Sequence, residues 1–291
     1  MGSRDTRRVL GPDKSISHIL LQPQEPQPFL RGDGRRWDGR WAQDPRKLFM
    51  SVGMITQAKG SSYVEVGNTK VCCGVYGPKD VQRGQDFKMS GQVLCVVKMA
   101  PFSTPTRLPP QPDTRQQEMS RQLKDTLEAV IVLEKFPKSQ IDIYVTVIED
   151  DGALLGACVT AAGLALCHAN IDVYDVVVGA TVLWYNDQLY VDPTRGEENY
   201  KEIGEGAGGK EGKTGGTEGR GCSQLIVGMM PKHAGGQVGL LVQGGGQAST
   251  ATLTDGLETA VELCNRLHAL AKKTLLDHLE ETLGEEETST S

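Results

Sequence analysis

From Leu48 onward the chain alternates apolar and polar residues with a period of two. Ser62-Tyr-Val-Glu-Val66, a turn at Gly67-Asn68 and Lys70-Val-Cys-Cys-Gly-Val-Tyr76 predict a β-hairpin, and Gly91–Met99 predicts a further strand. The period then lengthens. Met119, Leu123, Leu127, Val130 and Ile131 recur at spacings of three and four, which predicts a helix capped by Asp113 and ended by Pro137. A strand at 141–148 and a helix of small residues at 154–169 follow. Strands are predicted at 173–185 and 189–191 around Asn186-Asp187, then at 223–230 and 237–243. Leu257, Val261, Cys264, Leu267 and Ala271 place one apolar face on a last helix over 251–283. Hairpins interrupted by helices describe an α+β fold with mixed sheets and packed helices, not a doubly wound one. No period of 20–50 residues suggests a solenoid or propeller.

Three segments stand outside this pattern. Residues 1–35 hold prolines at 12, 23, 26 and 28 among Gln, Arg and Gly, and read as an extended basic arm. Residues 201–221 contain nine glycines and four charges of each sign, too little apolar surface to fold, and read as a flexible insertion. Residues 284–291 read as a mobile acidic tail. The body between them, 36–283, is expected to be one domain.

Charge narrows the function classes. The net charge of −6 over 291 residues argues against coating nucleic acid by bulk electrostatics, so contacts with RNA must come from local patches. No run of about 18 apolar residues suggests a membrane span, and the N-terminus lacks the apolar core of a signal peptide. Seven cysteines lie mostly within apolar runs without C-x-x-C pairing. They read as buried reduced thiols of the cytosol or nucleus, binding no zinc. His168, His233, His268 and His278 have no ligand spacing and no Ser or Cys partner to activate, so no metal or cofactor is implied.

The richest segment is Val147-Ile-Glu-Asp-Asp-Gly-Ala-Leu-Leu-Gly-Ala-Cys-Val-Thr-Ala-Ala162. A glycine turn opening a helix is where proteins hold phosphate, because free N–H groups and the positive end of the helix dipole converge there. This turn offers Glu149, Asp150 and Asp151, with no Arg, Lys, Ser or Thr before Thr160. It has an anion cradle's backbone and the opposite charge. The small residues of the following helix (Gly156, Ala157, Ala161, Ala162, Gly163, Ala165) suit close packing against a sheet or a neighbour.

Arg36-Trp-Asp-Gly-Arg40, followed by Ser51–Val71 with its A-x-G-S-x-x-x-x-x-G-x-T-x-V hairpin, resembles the opening of the RNase PH family. The resemblance continues through the long helix, the Asp-Gly turn, Asp172–Gly179 and Asp192-Pro-Thr-Arg-Gly-Glu-Glu198, covering about 36–280 apart from the insertion. It implies an RNase PH-like (ribosomal protein S5 domain 2-like) fold. Within the family the chain is most similar to a non-catalytic eukaryotic exosome ring subunit. That implies a hetero-hexameric ring of RNase PH-like partners, S1/KH-type cap subunits, single-stranded RNA in a central channel, and work in nucleus, nucleolus and cytoplasm.

The same resemblance bears on the chemistry. Active relatives carry an arginine and hydroxyls at the turn to hold the attacking phosphate; here Ala153, Leu154 and Leu155 occupy those positions. The family's acidic pair matches Asp192 and Glu198, carboxylates left without a phosphate site. Lys98, Arg107, Arg115, Arg121 and Lys124 match regions that line the RNA path, where spaced cations track a backbone without reading bases. Arg36 and Arg40 are expected to pair with Asp33, Asp38 or a neighbouring subunit. The implied function is ring assembly and RNA channelling for 3′–5′ processing and degradation. The alternatives are an active phosphorolytic 3′–5′ exoribonuclease and a standalone RNA-binding adaptor.

Overall fold

The structure is a computed structural model that describes residues 29–80, 90–109, 111–185, 188–200, 223–233, 236–245 and 250–289. Most of the arm and the whole glycine insertion lie outside the described residues, as does the Asn186-Asp187 turn. Among the described residues nine strands build two sheets. Strands β1 (Leu48–Val52), β2 (Gly60–Val66), β3 (Thr69–Asp80), β4 (Gln92–Met99) and β5 (Ser139–Glu149) form one, in the order β1-β2-β3-β5-β4. Strands β6 (Val178–Tyr185), β7 (Gln188–Val191), β8 (Ser223–Met230) and β9 (Gln237–Gly245) form the other, in the order β7-β6-β8-β9. Every pairing is antiparallel except β4 with β5, so the first sheet is mixed, as the α+β reading requires.

Among the described residues four α-helices complete the body: α1 (Thr114–Val130), α2 (Leu154–His168), the single turn α3 (Arg195–Glu198) and α4 (Thr250–Ser289). Helix α2 packs against strands of both sheets, and Leu154 through Leu166 are all buried. A helix apolar all round belongs in such a core. Its glycines set the spacing. A Cβ on Gly163 would lie 2.4 Å from the Val177 carbonyl, and one on Gly179 would lie 2.6 Å from the Gly156 carbonyl. Side-chain hydroxyls add specificity: Ser62 Oγ donates to the Ala161 carbonyl at 2.6 Å, and Thr160 Oγ1 accepts from Gly179 N–H at 3.0 Å.

Three boundaries differ from the sequence reading. Helix α1 starts at its Asp113 cap, whose carboxylate accepts from Thr114 N–H, but stops at Val130, well before Pro137. There Ile131 bridges to Val173 and Val132 N–H donates to Asp172 O, so tertiary pairing draws the chain out of the helix. The strand expected from Val173 begins only at Val178, because the Asp175 carboxylate accepts from Val176 N–H and Lys232 N–H and meets His268 Nε2. The last helix continues to Ser289, into the segment read as a mobile tail. His278 on that helix packs edge-on against His168, whose Nδ1 accepts from Ser61 N–H.

The described cysteines are all free thiols. Burial pushes Cys95 and Cys264 up to about 12 and Cys167 up to about 11, so they rest as neutral packing groups. Cys222 lies outside the described residues. Among those residues no helix is long and apolar enough to cross a membrane.

Candidate functional site

The Asp150–Leu155 turn joins β5, the fourth strand of the first sheet, to the N-terminus of α2. Gly152 has φ +90°, and a Cβ there would lie 2.6 Å from both Arg195 N and Pro193 O, so only glycine lets the turn pass the α3 segment. Ala153 sits at the helix N-cap in the left-handed region, φ 51°, with no side-chain cap of its own. Its N–H is one of the orphan donors that would face an anion.

That donor is already engaged. Ala153 N–H donates to Glu198 Oε1 at 2.8 Å, and Gln224 Nε2 donates to the same oxygen at 2.8 Å. A carboxylate from α3 therefore stands where an external anion would bind. Burial is the largest influence on Glu198 and raises its pKa, with Asp150 adding repulsion, while the Ala153 and Gln224 bonds and Arg115 oppose the rise. Leu154 and Leu155 are buried rather than projecting as phosphate ligands. With Arg115, Gln122, Glu198, Gln224 and Ile226 they line a cleft of about 240 Å³.

The sequence contains no cation within the turn, yet the fold brings three arginines to it. Arg115, on the first turn of α1, and Arg195, on α3, lie 3.6 and 3.2 Å from the buried Asp150 carboxylate. Arg46, from the segment before β1, closes the opposite side. It meets Asp192 Oδ1 at 2.7 Å and Oδ2 at 3.0 Å, and donates to the carbonyls of Asp151 (2.8 Å) and Gly152 (3.0 Å). Burial alone would lower the Arg46 pKa; the hydrogen-bonded Asp192, together with Asp151 and Glu198, more than reverses this, so the guanidinium stays charged. Thr69 Oγ1 completes the clamp, donating to Gly152 O and accepting from Asp151 N–H.

The matched acidic residues are thus divided between two tasks. Asp192 is held by Arg46 under the turn, whereas Glu198 caps α2 from the cleft side. Asp192 has φ 54°, and its carbonyl accepts from both Arg36 and Arg40 at 3.3 Å. Arg36 is fully buried, donates to Ala42 O and lies 3.7 Å from Glu197, so its main partners differ from the Asp33 and Asp38 expected. Arg40 does pair with Asp38. Glu197 forms a capping box with Thr194 at the start of α3.

Of the five cations matched to an RNA path, Arg115 lines this cleft. Lys98 is exposed on β4, Arg107 on the loop before α1 and Arg121 on α1, while Lys124 pairs along the helix with Glu128 at 3.6 Å. Sequence reasoning missed Arg46, the hub of the turn. Nothing in its local sequence, Asp-Pro-Arg-Lys, distinguishes it from a solvated arginine; Asp151, Gly152 and Asp192, which hold it, lie more than a hundred residues away.

Comparison with known proteins agrees with this architecture. Residues 44–172 match the family described as RNase PH, 3′ exoribonuclease family, domain 1. The mouse exosome complex component MTR3 is 30% identical over 288 residues, covering 94% of each chain. The Arabidopsis thaliana exosome complex component RRP41 homolog is 37% identical over 206 residues, 70% of this chain and 77% of its own. Among solved structures, rice Rrp46 superposes with a TM-score of 0.66 at 20% identity, over 82% of this chain and all of its own. The Archaeoglobus fulgidus exosome with RNA bound to the active site gives 0.64 at 22% identity, over 81% and 92%. At such identities the superpositions speak for the fold, and the identity with MTR3 along nearly the whole chain speaks for descent. The chain belongs to the RNase PH family.

Proposed function

We propose that this chain is a non-catalytic ring subunit of the RNA exosome. In this reading 36–283 forms one RNase PH-like domain with 201–221 inserted, within a hetero-hexameric ring that passes single-stranded RNA and carries S1/KH-type cap subunits. It serves 3′–5′ processing and decay in nucleus, nucleolus and cytoplasm by assembly and channelling.

One observation carries the non-catalytic part. The N–H that would help hold an attacking phosphate donates to Glu198, and leucines flank it. Phosphate entering there would have to displace a carboxylate and settle beside Asp150, which already meets two arginines. Phosphorolysis needs surplus positive charge at that point, and the local charges are balanced. Arg115 is left to contact the RNA backbone as a positioning cation.

The outer face of the first sheet supports the assembly part. Phe49, Leu94, Val96 and Tyr144 are exposed on it, and β4 is an edge strand among the described residues. Exposed apolar surface of this kind on a sheet with an open edge calls for cover.

The test is direct. The purified chain, incubated with inorganic phosphate and single-stranded RNA, releases no nucleoside diphosphate; measurable release refutes the non-catalytic reading. Light scattering on the lone chain should show self-association or aggregation. A stable monodisperse monomer counts against the ring.

A further inference from the structure

Residues 31–41 form a double turn outside the cleft. Arg31 N–H donates to Arg35 O at 2.8 Å and Gly34 N–H to Arg31 O at 2.9 Å. Arg36 N–H then donates to Arg40 O at 3.1 Å and Gly39 N–H to Arg36 O at 3.0 Å. Gly34 and Gly39 hold φ of 70° and 85° at the two bends. The second turn is anchored from below by the buried Arg36 and by both arginines on the Asp192 carbonyl. A rigid loop therefore stands on the Arg46–Asp192 hub.

Two tryptophans project from this platform, Trp37 at 48% and Trp41 at 55% exposed. The chain's third, Trp184, is buried with its indole N–H on the Thr252 carbonyl. The Arg35 guanidinium lies 4.8 Å over the Trp41 ring. Arg31 and Lys47 are exposed nearby in sequence. The acidic neighbours are Asp38, which binds Arg40, Asp44, whose carboxylate accepts from Trp41 N–H, and Asp33. Indoles set among arginines and a lysine differ from the apolar sheet face: a single nucleic acid strand is held by aromatic faces for its bases and by cations for its phosphates.

We infer that Trp37 and Trp41 form a stacking platform for bases of single-stranded RNA, with Arg31, Arg35 and Lys47 on the adjoining phosphates. Every base has a π-face, so the platform is tolerant of sequence, and its phosphate contacts weaken as salt rises. Its preformed turns limit the ordering cost on binding. The inference rests on the chain being an RNA-handling ring subunit and adds a contact site apart from the cleft.

The test uses the full chain and an oligouridine of about ten nucleotides at low salt, read by tryptophan fluorescence. Stacking quenches the exposed indoles, while Trp184 supplies a constant background. Trp37→Ala and Trp41→Ala should each weaken binding at least about fivefold, the lower end of base–aromatic stacking. Trp41→Leu, which keeps apolar area without an aromatic ring, should fall with them. Both tryptophans are exposed, so circular dichroism and Tm should match the parent. No RNA binding, binding without quenching, or full affinity in the Trp37→Ala/Trp41→Ala double variant overturns the inference. Loss of co-purifying ring subunits in that variant also overturns it, by making the surface a protein interface. Ring assembly in the parent chain is scored separately, so the platform can fail while the ring reading stands.

Discussion

The two sides of the Asp150–Leu155 turn are built from similar residues and behave differently. On the sheet side, Arg46 and Asp192 are almost fully buried, at 5% and 11% side-chain exposure, and make a paired contact backed by two carbonyls and Thr69. On the cleft side, Arg115 is 50% exposed and stands 3.6 Å from Asp150, while Glu198 caps the helix. One side is a fastening whose parts cannot be removed singly. The other keeps the outline of an anion site filled by the protein's own carboxylate. In the non-catalytic reading proposed above, the acidic glycine turn is kept because its backbone is held by the fastening beneath it.

Breaking the sheet side should cost the most. Arg46→Ala leaves Asp192 buried without its partner, and unfolding in urea should show a loss of about 3–5 kcal/mol. Gly152→Ala comes next. It forces a side chain into the left-handed region and onto the α3 backbone, with an expected loss of about 2–3 kcal/mol in the same measurement. On the cleft side, Glu198→Ala strands Ala153 N–H and should cost about 1–2 kcal/mol. Arg115→Ala removes a half-exposed, solvent-screened partner and should cost less than about 1 kcal/mol. If Arg115→Ala equals Arg46→Ala, the contrast between the two sides is wrong.

Titration sharpens the comparison. The Glu198 pKa is raised in the folded state, so the folded protein holds that proton more tightly than the unfolded chain. Its contribution to stability therefore falls as pH rises from the ordinary glutamate range, about 4.3, through the raised value. Glu198→Gln keeps an oxygen for Ala153 and Gln224 but does not titrate. Its Tm should decline less than the parent's over that window, and parallel curves would remove Glu198 from the buried electrostatics.

Much of the fold was legible because its signals are local. The 62–76 hairpin, the Asp113 cap and the small-residue helix each follow from neighbouring residues, and each stands in the structure. Two of the three misplaced boundaries have a common cause. Ile131 and Val132 leave their helix to meet Val173 and Asp172, and Asp175 delays β6 by capturing Lys232 N–H and His268. Long-range pairing overrode local preference at both. The charge of the turn was misjudged for the same reason: reading along the chain finds only carboxylates, and the arginines arrive from 46, 115 and 195.

By itself the sequence determined the family, through the R-x-D-G-R element and the hairpin that follows it, and the absence of an arginine or hydroxyl at 153–155. Those are statements about residue identity at set spacings. Only the tertiary structure decided what became of the empty position, because it depends on which distant side chains converge. Glu198 rests on the Ala153 N–H and Asp192 is locked by Arg46. The anion cradle read from the chain is, in three dimensions, occupied from within.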